Sequence, residues 1–148
     1  MIKLMTVKKE NLGEFAKQKT LMIKEHILYA SELGIHDSIA INYDEKRAIK
    51  YFGKQEYTQQ LIIVDGEIVG ITEYKKIKSE IDEKSNAIFL NAIYIQPKYR
   101  EKKYAYETIK KLKQQYKIIE LDCYYNLKAH DFYKKIGFLP YYQRYFIK

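Results

Sequence analysis

Ala87-Ile88-Phe89-Leu90-Asn91-Ala92-Ile93-Tyr94-Ile95 runs straight into Gln96-Pro97-Lys98-Tyr99-Arg100-Glu101-Lys102-Lys103-Tyr104-Ala105, and the fold turns on how this stretch is read. Its first nine residues are nearly all apolar and of strand length, the pattern of a central strand covered on both faces. Pro97 has no amide hydrogen to give to a sheet ladder, so the strand ends before it. From Arg100 the period changes. Ala105, Ile109, Leu112 and Tyr116 recur at steps of four, three and four, which is one face of a helix. The first amides of a helix lack intrahelical acceptors and its dipole favours negative charge there, so a helix starting at Arg100 makes an anion site. Arg100, Lys102 and Lys103 add positive charge beside it.

Working outward from this unit, Ile119, Leu121 and Cys123 alternate as a strand. Asn126 suits the N-cap of a further helix, with Ala129, Phe132, Tyr133 and Ile136 on its inner face and Gly137 at its end. Residues 138–147 read as a closing aromatic strand. Upstream, Leu61-Ile62-Ile63-Val64, Asp65-Gly66 and Ile68-Val69-Gly70-Ile71 form a hairpin signal, because both turn positions of a type I′ turn require positive φ. Residues 2–7 read as a first strand, and Leu12, Ala16, Ile23, Ile27 and Ala30 mark a long helix running to Gly34. A short helix over residues 44–52 closes at Gly53, and residues 34–43 are loop. The expected order is β, α, α, β, β, β, α, β, α, β, a mixed α/β domain.

Composition sets limits on the function. A chain of 148 residues is long enough for one core, and no Ser-, Gly- or Pro-rich linker divides it, so one domain over residues 1–148 is expected. Lysines 3, 8 and 9 interrupt the first residues, leaving no signal or spanning segment there, and no membrane partner is expected. The single cysteine, Cys123, excludes an intrachain disulfide and a four-cysteine zinc site, and points to a reducing, cytoplasmic setting. The chain carries 27 basic and 19 acidic side chains; 14 of each precede Lys98, leaving 13 basic against 5 acidic in the last third. Such a field attracts a polyanion of some kind, and local motifs must say which.

Residues 95–105, with Arg100 and Ala105 at its fixed positions, resemble the signature of the GNAT superfamily of N-acetyltransferases: Arg or Gln, two residues, Gly, one residue, then Gly or Ala. Lys103 stands at the usual glycine and Glu101 where a second glycine is common. Asn126-Leu127-Lys128-Ala129 and Phe132-Tyr133-Lys134-Lys135-Ile136-Gly137-Phe138 resemble the second motif of the family at the expected distance. The resemblance implies a mostly antiparallel central sheet flanked by helices, an acetyl-CoA cosubstrate and no metal. It places the pantetheine arm along the backbone of Ile93, Tyr94 and Ile95, and the pyrophosphate at Arg100, Glu101, Lys102, Lys103, Tyr104 and Ala105. Asn126 matches the position that contacts pantetheine, which its role as an N-cap would also explain. Lys103 is expected in a right-handed helical conformation, with Glu101 turned to solvent.

Tyr133 aligns with the family tyrosine that returns a proton to the leaving thiolate; helical spacing also suits it as a core aromatic. Relatives use a central-strand Glu as base, and residues 87–95 contain no carboxylate. Glu73, sharing parity with Val69 and Ile71, is the substitute, against its reading as a surface glutamate. Glu120, Asp122, His36, His130 and water are the other options. Cys123 reads as a buried strand residue. The activity implied is acetyl transfer to a primary amine by direct attack in a ternary complex. A non-catalytic CoA-binding or sensor module is the alternative. A basic nucleic-acid-binding domain, suggested by Tyr124, Tyr125, Tyr133, Tyr141, Tyr142 and Tyr145, is a third reading without a motif to support it. The resemblance implies that the acceptor is set by residues 33–43 and the C-terminal strand pair, and a monomer and a homodimer are both compatible with the sequence.

Overall fold

The computed structural model describes residues 1–36, 41–124 and 126–147. The elements in chain order are β1 (Ile2–Thr6), α1 (Leu12–Glu32), α2 (Glu45–Ala48), β2 (Tyr57–Val64), β3 (Glu67–Ile77), β4 (Ala87–Ile95), α3 (Tyr104–Lys113), β5 (Ile118–Glu120) and α4 (Lys128–Lys135). The five strands form one sheet in the order β1-β2-β3-β4-β5. Its first three pairings are antiparallel, and β5 joins β4 in parallel. This is the mixed, mostly antiparallel sheet with flanking helices that the sequence implies.

Local chemistry fixes the hairpin and the centre of the sheet. Asp65 and Gly66 adopt φ of 50° and 81°, the two left-handed positions of a type I′ turn, and their twist suits the β2–β3 pair. Gly70 on β3 lies so close to β4 that a Cβ there would sit 2.1 Å from the Tyr94 carbonyl oxygen, so only glycine lets the two strands pair at this point. Asp44 caps α2 by accepting the Arg47 amide at 2.9 Å.

Each face of the sheet is covered by a different helix. Phe15 and Met22 of α1 pack on Leu61, Ile71, Ala92 and Tyr94. On the other face Leu112 of α3 packs on Tyr74, Ile88 and Leu90, while Tyr104 and Ala105 cover Val69 and Ile95. Fully burying side chains such as Phe15, Ile71, Ile88 and Leu112 contributes about 1.5–3 kcal/mol each, and this ties both helices to β3 and β4.

Three expectations need correction. Residues 138–147 form no strand: Leu139, Tyr145 and Ile147 are more than four-fifths exposed. Pro140 lacks a donor and β5 ends after three residues, so little ladder exists for that segment to extend. Helix α3 starts at Tyr104 and not at Arg100, because residues 97–99 first make a 3₁₀ turn. The N-cap of α4 is Leu127, without a side-chain bond, and Asn126 is spent elsewhere.

Candidate functional site

The site begins with an irregularity in β4. Glu73 pairs with Ala92 and Tyr74 with Leu90, which leaves Asn91 as an extra residue in a β-bulge. β5 pairs with β4 only at Ala87, Ile88 and Phe89. Beyond the bulge β4 has no neighbour on that side among the described residues, and the two strands diverge. The Gln96 amide donates to the Val69 carbonyl at 2.9 Å, so strand alternation turns Tyr94 towards β3 and turns Ile93 and Ile95 into the gap. Of the three backbone positions expected to meet a ligand, the Ile93 backbone and the Ile95 amide therefore face the gap, the Ile95 carbonyl accepts from Arg100, and Tyr94 is committed to the sheet.

At the end of β4 the chain makes a second open feature. Glu101 has φ of 66° and Lys103 φ of 63°, both left-handed, with Lys102 between them on the ordinary side. Lys103 thus differs from the right-handed conformation expected for it, while Glu101 is exposed as expected. Left-handed residues at 101 and 103 bend the chain sharply just before the first turn of α3, a geometry in which successive amides can turn to one side and receive an anion. The amides of Glu101, Lys102 and Lys103 have no backbone acceptor among the described residues outside helices and strands. A chain of open amides from β4 to α3 suits a long ligand with an amide-bearing arm and a phosphate end.

The Arg100 side chain points back into the fold. Its Nε donates to the Ile95 carbonyl at 2.9 Å, and its guanidinium donates to both carboxylate oxygens of Glu25 on α1 at 3.0 Å. It also lies over the Tyr94 ring, 5.3 Å from the centroid. The ion pair is about two-fifths exposed on each side, which limits its contribution to below about 1 kcal/mol. Arg100 therefore braces the loop against α1 and β4, and the loop amides are what face outward.

A model of the Acetyltransferase (GNAT) family matches residues 29–138. The chain belongs to this family. No curated protein matches the sequence, but solved structures share the fold over its whole length. YycN of Bacillus subtilis is 17% identical with a TM-score of 0.77, covering 100% of this chain and 98% of its own. The ribosomal-protein-alanine N-acetyltransferase of Brucella melitensis is 16% identical with a TM-score of 0.69, covering 100% and 99%. AAC(6′)-Iy, solved with the bisubstrate analogue CoA-S-monomethyl-acetylneamine, is 13% identical with a TM-score of 0.68, covering 100% and 97%. Among the described residues no helix of this GNAT chain is long and apolar enough to cross a membrane.

Glu73 is buried, contrary to its reading as a surface glutamate. It has no solvent exposure, and both its oxygens are engaged: Lys19 Nζ donates to Oε1 at 2.6 Å and Gln59 Nε2 to Oε2 at 2.7 Å. The β2–β3 hairpin places it on the α1 face, where Lys19 of α1 reaches down to meet it. Beside the pair is an open pocket of about 520 Å³. Asn91, the bulge residue, forms part of its wall, so the pocket begins two residues from Ile93 and the gap.

Tyr133 packs between Phe132 and Phe138, with ring centroids 5.4 Å away in each case, and burial pushes its phenol well above the ordinary value. It therefore carries its proton at neutral pH. Cys123 lies close to it, and burial pushes that thiol up to about 11, which leaves it protonated and unreactive. Asn126 Nδ2 donates to the Tyr29 carbonyl at 3.0 Å and to Glu32 Oε2 at 2.9 Å, joining the segment before α4 to the end of α1, while its buried Oδ1 has no partner among the described residues.

Sequence reasoning missed Lys19, Tyr43, Tyr51 and Tyr57, which line the pocket. A signal for Lys19 was present, since it lies four residues after Phe15 and four before Ile23 on the apolar stripe of α1. The tyrosines stand in loops and at a strand start, where no period distinguishes them. Of residues 33–43, residues 37–40 lie outside the described residues, as does Tyr125.

Proposed function

We propose that this GNAT chain transfers the acetyl group of acetyl-CoA to a primary amine by direct attack in a ternary complex. The observation carrying the reading is the continuity of open backbone donors, from Ile93 and Ile95 in the β4–β5 gap to the left-handed loop at Glu101 and Lys103. Acetyl-CoA supplies an activated acyl group. The pantetheine arm would bond to the Ile93 backbone and the Ile95 amide, and Asn126 Oδ1, without a partner among the described residues, is a further acceptor for it. The pyrophosphate would rest on the amides of residues 101–105, with Lys102 and Lys103 adding charge at the rim.

In the transfer, the amine nitrogen bonds to the thioester carbonyl carbon and the carbon–sulfur bond breaks. The Ile93 amide is a fixed donor for the oxyanion, and such preorganised donors supply a large share of rate enhancements. Tyr133, kept protonated by burial, would return a proton to the departing thiolate. Glu73 is saturated by Lys19 and Gln59, so the proton lost by the amine goes to water and Glu73 shapes the pocket instead. That saturation is also what favours the second reading, a CoA-binding module without turnover.

The test is thiol release from acetyl-CoA by the purified protein against a panel of amines. Amine-dependent release with acetylated product by mass spectrometry is the expected result. Tight acetyl-CoA binding without release against any amine would select the non-catalytic reading.

A further inference from the structure

The pocket on the α1 face bears on which amines the protein accepts. Tyr51 and Tyr57 stack at its mouth with centroids 3.8 Å apart and planes 5° from parallel. Three ammonium groups surround this pair. Lys50 Nζ lies 4.6 Å from the Tyr51 centroid, Lys19 Nζ 5.4 Å from the same ring, and Lys75 Nζ 6.0 Å from that of Tyr57. All five side chains line the one pocket, as do Glu73 and Asn91.

The charges there do not cancel. Glu73, the only carboxylate in the lining among the described residues, is neutralised by Lys19 in a buried pair. Neither Lys50 nor Lys75 forms an ion pair among the described residues. Aromatic faces hold cations near them by their quadrupole, so the stacked pair keeps the Lys50 and Lys75 ammoniums beside the opening. A hydrogen bond from Lys50, with a further one from Tyr57 and the charges of Lys50 and Lys19, holds the Tyr51 phenol below its ordinary value.

From this we infer that the acceptor is an amine that also carries a carboxylate, with the acid bound between Lys50 and Lys75 and the amine directed past Asn91 towards Ile93. The inference rests on the acetyl-transfer reading and names the substrate class for it. An α-amino acid with an acidic side chain and the acidic N-terminus of a peptide share this chemistry. A polycationic amine does not: in the lining formed by the described residues it would meet two ammoniums without an ion-pair partner and no free carboxylate.

The experiment compares kcat/KM, by thiol release, for glutamate, the peptide Glu-Glu-Ala, glutamine, cadaverine and spermidine. Glutamate or the peptide should exceed both polyamines by at least about tenfold, and a preference between those two decides a free from a peptide-borne acceptor. The Lys50→Gln/Lys75→Gln double variant should lose about tenfold for the acidic amines while its KM for acetyl-CoA stays within about twofold. Raising salt should narrow the preference. Faster turnover of cadaverine or spermidine, or an acidic preference untouched in the double variant, overturns the inference and leaves acetyl transfer standing. Absence of release with every amine overturns both.

Discussion

The gap beside β4 and the pocket beneath α1 meet at Asn91, yet they are built in opposite ways. The gap is a backbone structure: a bulge, a strand that ends early and a left-handed loop present amides, and the side chains around them are largely turned away. The pocket is a side-chain structure, in which Lys19, Lys50, Tyr51, Tyr57, Glu73 and Lys75 converge from one helix, a loop and two strands. A cosubstrate common to a family can be held by main chain, which survives substitution of the residues carrying it. An acceptor particular to one protein has to be recognised by groups that substitution can change.

This contrast predicts unequal responses to mutation, the largest in the pocket. Glu73→Gln leaves Lys19 buried without a counter-charge and should cost about 3–5 kcal/mol of stability in urea unfolding. The apolar double variant Lys19→Met/Glu73→Leu should recover most of that loss. A loss below 1 kcal/mol would mean that the pair is not the structural support described.

Next in size is Tyr133→Phe, which keeps the ring and removes the proton. It should lower kcat about a hundredfold with the Kd for acetyl-CoA unchanged. An equal fall in affinity would place Tyr133 in ligand binding. Arg100→Glu sets a carboxylate against Glu25 and releases the brace on the loop, so acetyl-CoA affinity should fall about tenfold by calorimetry. Unchanged affinity would show that the loop keeps its shape without Arg100.

The smallest effect has the opposite sign. Lys103→Gly should stabilise the fold by about 0.5–1 kcal/mol, because a side chain at φ of 63° is strained and glycine is not. Affinity for acetyl-CoA should hold or rise, since the amide stays where it was. A weaker complex would assign the Lys103 side chain a larger part than its backbone.

The same contrast explains what could be read from the sequence. Periodicity and turn chemistry are local, so Ala87–Ile95, the Asp65-Gly66 hairpin and the apolar face of Ile109 and Leu112 were legible, while the gap beside β4 came only from the family resemblance and the loop conformation was not legible. Lys103 was misread because its backbone is set by the tight exit from the 3₁₀ turn rather than by helix propensity. Glu73 and Lys19 are 54 residues apart in the chain and meet only through packing of α1 on the sheet. The strand expected over residues 138–147 rested on aromatic content, which is a weak guide where no partner edge is present.

The central claim is that backbone amides of β4 and the following loop hold acetyl-CoA, and amide NMR tests it most directly. Titration of the ¹⁵N-labelled protein with acetyl-CoA should shift the amides of Ile93, Ile95 and residues 101–105 most strongly, with Tyr94 moving less. Saturable binding that leaves those amides in place, or shifts centred on the lysines of the pocket, would contradict the account.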